Sequence, residues 1–203
     1  MLDVIFPVTR NNIGPACASL DALFSNTDVV TRIIAIFDGG KRVEYQAVEN
    51  VLRESEKEWV AMHTIQPQYF NKCIVAALAE KVIHDRVATL MPGVILKDKF
   101  WFLKMCAPFG KDHHAAMSIA GAVDTPSTTL PPHRVSKNVD YSFGGLAMLK
   151  DWTKRKVKEL SLPESGLDVI TSLTKFFRDA GHNVWRVPSV NYQLIDRKEH
   201  ALS

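Results

Sequence analysis

Asp38 and Arg10 carry the two charges best placed to hold a phosphorylated ligand. Arg10 follows the apolar run at residues 2–8 (LDVIFPV), and Asp38 closes the run at residues 31–37 (TRIIAIF) and opens the turn Asp38-Gly39-Gly40. If both runs are strands of an open α/β sheet, their carboxyl ends border the crevice where such sheets bind ligands. That rule selects Thr9 and Arg10 after the first strand, Asp38 after the second, Gln66 after the third and Pro92-Gly93 after the fourth. There Asp38 can accept hydrogen bonds from a base or a ribose, and Arg10 can pair with a phosphate. The plainer alternative is that Asp38-Gly39-Gly40 makes a turn and nothing else.

Other constellations are less specific. Neither GxGxxG nor GxxxxGK[ST] occurs, so the dinucleotide and P-loop signatures are both missing. The adjacent pair His113-His114 would point in different directions on regular structure, and His84 suits a helix end, where a positive imidazole favours the dipole. The three cysteines (Cys17, Cys73, Cys106) show no CxxC spacing and read as buried thiols in a reducing compartment. The one positive cluster, KDWTKRK at residues 150–156, is either a solvated helix face or a phosphate-binding one.

The elements that must position these groups alternate. Strands are expected at residues 2–8, 31–37, 59–65 and 86–91, and helices at residues 13–26, 43–55 and 70–83. A short helix at 99–105 and a strand at 115–123 follow. Residues 124–138 (DTPSTTLPPHRVSKN) read as a long loop on the working face, residues 141–149 as a strand with a glycine pair, and 150–160 as a basic helix. A helix over 166–180, capped by Gly181, and a strand over 183–187 complete the chain. Strand–helix alternation implies right-handed crossovers and a mostly parallel sheet covered on both faces. The expected class is α/β, Rossmann-like.

Composition agrees without adding function. In 203 residues, 46% are hydrophobic and 23% charged, which excludes a disordered tail and a disulfide scaffold. The net charge of +3 neither demands nor excludes a nucleic-acid partner. No apolar run reaches the ~18 residues needed to span a bilayer, and the opening residues show no signal peptide, so a soluble, cytoplasmic protein is expected.

The order of these pieces resembles the family 2 glycosyltransferases, inverting enzymes of GT-A fold that use nucleotide-diphosphate sugars. VIFPVTRNN is similar to the family's opening strand and turn, and IIAIFDGG to its second strand with a terminal Asp. YFNKCIVAALAEKVIHDRVATLMPGVILKDKFW is similar to the stretch in which an Asn opens a helix before a strand and an acidic turn. YSFGGLAMLK resembles the Gly-rich acceptor-side strand, and SGLDVITSLTKFFRDAGHNVWRVP the acidic helix, Ala-Gly turn and final strand. The likeness runs from Val4 to about Tyr192.

The resemblance implies a single GT-A domain over residues 1–203, with the nucleotide sugar held by residues 1–123 and the acceptor side formed by 139–192. It implies that Thr9, Arg10, Asp38, Asn71 and Gly93 lie at the nucleotide-sugar site, that Gly144 and Gly145 border the acceptor, and that Asp168 is the catalytic base. For Asp168 the plainer role is that of an acid favoured by a helix N-terminus. The implied donor is a nucleotide-diphosphate sugar; the implied acceptor is a glycan, a protein or a modified nucleic acid. A divalent metal, Mn or Mg, is a family cofactor. Here, though, the turn that should carry the acid reads Met91-Pro92-Gly93-Val94, with Gly93 in the acid's place, so no metal ligand is assigned. Arg10, Lys72 or His133 would then stabilise the leaving diphosphate. The missing acid also leaves open a catalytically inactive GT-A module that binds nucleotide or a partner.

Overall fold

Strand β1 (Leu2–Thr9) is buried along nearly its whole length, as its continuous apolar run requires of a central parallel strand. Its even-numbered side chains Leu2, Val4, Phe6 and Val8 join one core, while Ile5 joins the other, on the opposite face of the sheet. Pro7, which cannot donate to a ladder, sits where only β2 still pairs, because the pairing with β4 ends at Ile5↔Thr89.

The computed structural model describes residues 1–27, 29, 31–64, 70–120, 132–134, 145–150, 169–190 and 192–195. Within them, β1 is followed by α1 (Ile13–Ser25), β2 (Thr31–Asp38), α2 (Gln46–Glu54), β3 (Glu58–Thr64), α3 (Phe70–Glu80), β4 (Arg86–Leu90) and β5 (Val94–Leu96). Then come α4 (Trp101–Lys111), β6 (Ala115–Ala120), β7 (His133–Arg134), β8 (Leu146–Lys150), α5 (Val169–Asp179), β9 (Asn183–Val187) and β10 (Tyr192–Leu194). The main sheet has eight strands in the order β3-β2-β1-β4-β8-β6-β9-β7. β8 runs antiparallel to β4 and β6, and β7 runs antiparallel to β9; every other pairing in this sheet is parallel. The sheet is therefore mostly parallel, as the strand–helix alternation predicts.

Helices cover both faces. Leu20 and Leu23 of α1, Val48 and Leu52 of α2, and Trp101, Met105 and Phe109 of α4 close one core. Ile74, Ala77 and Leu78 of α3, with Leu173 and Phe177 of α5, close the other. Burying these apolar side chains is the main stabilising contribution, roughly 1.5–3 kcal/mol for each large one.

Several sequence expectations need correction. The helix expected at 99–105 runs on to Lys111, through Pro108, because Trp101, Met105, Pro108 and Phe109 form one buried stripe at helical spacing. His133 and Arg134, assigned to a long loop, form the edge strand β7 instead. Arg134 lies over the Trp185 ring at 5.8 Å and reaches Asp112 at 3.4 Å, which pins the strand to β9. Lys150 ends β8 rather than opening a basic helix, and the rest of that segment lies outside the described residues. The small sheet of β5 with β10 was not anticipated.

At the opposite, amino edge, a buried polar cluster fixes the strands. The Asp3 carboxylate, fully enclosed, accepts hydrogen bonds from Arg32 Nη1 at 3.0 Å and from the amides of Ile83 at 2.8 Å and His84 at 2.9 Å. Burial alone would raise the Asp3 pKa. The His84 and Ile83 amides and the Arg32 guanidinium outweigh it and hold the carboxyl below its ordinary value.

Candidate functional site

The register of the sheet brings the sequence-selected residues to one edge. Thr9 is the direct partner of Asp38, and Asp38 is the partner of Thr64, so the carboxyl ends of β1, β2 and β3 lie side by side. Asp38 itself is 7% exposed. Its Oδ1 accepts a hydrogen bond from Thr64 Oγ1 at 2.7 Å, and Thr64 Oγ1 accepts one from the Gly39 amide at 2.8 Å. Thr64 thus holds both the carboxylate and the turn that follows it. The Cys73 thiol on α3 approaches the same oxygen at 3.8 Å. Burial, reinforced by the Asp38 charge, pushes this thiol up to about 12, so it stays protonated and inert at neutral pH.

Tyr45 ties the first two strand ends together. Its hydroxyl lies 3.0 Å from the Asp38 carbonyl and 2.6 Å from the Gly39 carbonyl, and its ring packs on Phe37 at 4.8 Å. Burial first, then the negative charges of Asp38 and Glu44, raise its pKa; the Arg10 amide and guanidinium oppose this. Arg10 is therefore near Tyr45, while its own side chain is exposed. At Thr9, the backbone amide donates to Asn12 Oδ1 at 2.8 Å, which fixes the turn from β1 into α1.

The β4–β5 turn completes this edge. The Met91 amide donates to the Gly145 carbonyl at 2.8 Å, so the acceptor-side glycine lies beside the turn that carries Gly93. Gly145 must lack a side chain, because a Cβ there would collide with Val94 Cγ2. Gly93 has φ +95°, a left-handed backbone that side chains rarely adopt. Its amide donates to Ser19 Oγ of α1 at 2.8 Å, and its carbonyl accepts from the Ile195 amide at 2.8 Å.

Of the sequence-selected residues, Thr9, Arg10, Asp38, Gly93 and Gly145 thus lie along the carboxyl edge. Asn71 lies in the first turn of α3, which follows β3. Gly144, Gln66 and Asp168 lie outside the described residues. Lys72 is exposed on α3, and His133 starts β7 opposite Arg186 on β9. Sequence reasoning missed Tyr45, Thr64 and Ser19. Thr64, the last described residue of β3, lies two positions before Gln66, the residue that the strand-end rule selected. Ser19 meets the amide of Gly93, far along the chain, and Tyr45 folds back over the glycine turn onto the Asp38 and Gly39 carbonyls; neither contact follows a helix or strand period. Among the described residues, no group of three or more His, Cys, Asp or Glu side chains could hold a metal ion.

No protein-family profile and no curated protein sequence matches the chain. Solved structures do match. The chain aligns over 94% of its length with S. aureus TarS residues 1–349, at TM-score 0.67 and 14% identity. It aligns over 90% with the mannosyltransferase PcManGT from Pyrobaculum calidifontis in complex with GDP-Man and Mn2+, at TM-score 0.67 and 12% identity. It aligns over 97% with GalNAc-T7 bound to UDP, GalNAc and Mn2+, at TM-score 0.71 and 13% identity. The chain spans 59% of the TarS fragment, 53% of PcManGT and 44% of GalNAc-T7. A mostly parallel sheet with helices on both faces, superposing on these proteins over nearly all of its length, shows that the chain has the GT-A fold of nucleotide-sugar glycosyltransferases.

Proposed function

We propose that the chain binds a nucleotide-diphosphate sugar at the carboxyl edge of its sheet and transfers the sugar to an acceptor hydroxyl with inversion. The observation that carries this reading is Asp38 at the end of β2, oriented by Thr64 and flanked by Thr9 and Arg10, in a fold shared with proteins crystallised with GDP-Man and with UDP. Thr9, Asp38 and Asn71 would contact the nucleoside and Arg10 the diphosphate. The acceptor, a glycan, a protein or a modified nucleic acid, would approach beside Gly144 and Gly145. Residues 1–123 would then serve the donor and 139–192 the acceptor.

In this reaction Asp168 takes the acceptor's proton as its oxygen attacks the anomeric carbon. One C–O bond forms, the C–O bond to the diphosphate breaks, and the nucleoside diphosphate leaves with the electron pair. Positive charge from Arg10, at the end of β1, offsets the negative charge developing on it; of the two alternatives, Lys72 stands on α3, and His133 lies on β7, four strands from β4. Gly93, in place of a carboxylate, favours one second reading: a module that binds nucleotide or a partner and transfers nothing.

A screen of UDP-, GDP- and dTDP-sugars for hydrolysis and transfer, with and without manganese, separates the two. Turnover that falls at least 100-fold in Asp168→Asn supports the enzyme with Asp168 as base. Turnover untouched by that change removes the assignment. Thermal stabilisation by nucleotide with no turnover supports the binding module.

A further inference from the structure

We propose that the donor's diphosphate is bound at the β4–β5 turn without a bridging divalent cation; this rests on the nucleotide-sugar reading above. Two GT-A neighbours were crystallised with Mn2+. Mn2+ and Mg2+ are hard cations that need oxygen ligands, usually one or two carboxylates beside the phosphates. The turn here offers Met91, Pro92, Gly93 and Val94: a thioether, two apolar side chains and no side chain at all. A soft sulfur is a poor partner for a hard cation.

The backbone closes off a simple repair. Gly93 at φ +95° strains any side chain placed there. Its amide is held by Ser19 and its carbonyl by Ile195, while the Val94 amide bonds back to the Met91 carbonyl at 3.2 Å. The amide of Gly93 and the carbonyls of Met91 and Gly93 are thus already engaged within the protein. A Cβ at Gly93 would lie in contact with the Ile195 carbonyl at 3.8 Å and Pro15 Cβ at 3.9 Å, so α1 packs directly on this turn. The first turn of α1 contains no acidic residue, and the exposed Arg10 stands just before it. Arg10 is the cation that the end of β1 presents here, and it acts on Tyr45 together with the acids Asp38 and Glu44. A guanidinium supplies fixed positive charge and a planar pair of donors to phosphate oxygens, which takes over the neutralising part of the metal's role.

The test is calorimetric titration of UDP, GDP and dTDP into the protein in EDTA and in 1 mM Mn2+. The expected result is that whichever nucleotide binds does so with dissociation constants agreeing within about threefold in the two buffers. Arg10→Ala should weaken that nucleotide about tenfold in both. Tightening of tenfold or more by Mn2+ overturns the proposal and leaves nucleotide binding standing. Failure of all three nucleotides to bind in either buffer overturns the nucleotide reading, and this inference with it. A second measurement needs no variant and no nucleotide: the electron paramagnetic resonance signal of aqueous Mn2+ should be unchanged by adding protein, and its loss would likewise overturn the proposal.

Discussion

At the scale of single residues, Asp38 is the side chain on which nucleotide recognition turns. A hydrogen bond to a charged group contributes about 1.5–3 kcal/mol, so Asp38→Asn is expected to weaken nucleotide binding roughly 10- to 100-fold by calorimetry. Thr64→Val, which releases both the carboxylate and the Gly39 amide, should weaken it less, roughly threefold to tenfold. Asp3, at the other edge, concerns stability. Its neutralisation takes away one of the two carboxylates paired with Arg32 and leaves Glu58 at 2.8 Å, so Asp3→Asn should cost about 1–3 kcal/mol in urea unfolding. Because the Asp3 pKa is lowered in the fold, its stabilisation is full above the unfolded carboxylate value, about 3.9, and is lost as pH falls through the folded value. Wild-type stability should therefore drop on acidification below about pH 4 by more than that of Asp3→Asn. Asp38 and Thr9 were legible in the sequence because each ends a β-branched or apolar run against a polar turn. Asp3 was not, since an acid inside an apolar run reveals its partners only once β1, β2 and the segment before β4 are packed.

At the scale of elements, the β4–β5 turn and the start of β8 carry the specificity of the fold. Gly145 abuts Val94, whose short branched side chain has little room to retreat inside the core. Gly145→Ala should destabilise the protein by about 1–3 kcal/mol, read as a lower urea midpoint with an unchanged slope. Long elements were visible in the sequence: β1, β2, α1 and α3 have enough residues to show a period of two or of 3.6. The short strands β5, β7 and β10 do not, and the partner of β5 lies about a hundred residues later, beyond any local signal. The helix expected at 99–105 came out too short, because the buried face of α4 continues to Phe109 through Pro108, a residue type that usually ends a helix.

At the scale of the whole molecule, two apolar cores on opposite faces of the sheet hold its carboxyl edge as one surface. The alternation of strands and helices made this fold legible before any contact was known, because right-handed crossovers leave few alternatives. Which acid is the base was not fixed by topology, since Asp168 rests on resemblance alone. No helix among the described residues is long and apolar enough to cross a membrane. The central claim is that a nucleotide occupies the edge formed by the ends of β1, β2 and β4. Its most direct test is a two-dimensional amide NMR titration of the labelled protein with UDP, GDP and dTDP. At least one of them should shift the amides of Thr9, Arg10, Asp38, Gly39, Gly93 and Gly145 together, with Asp3, His84 and Asp112 unmoved. Shifts confined to the amino edge, or none with any of the three, would contradict it.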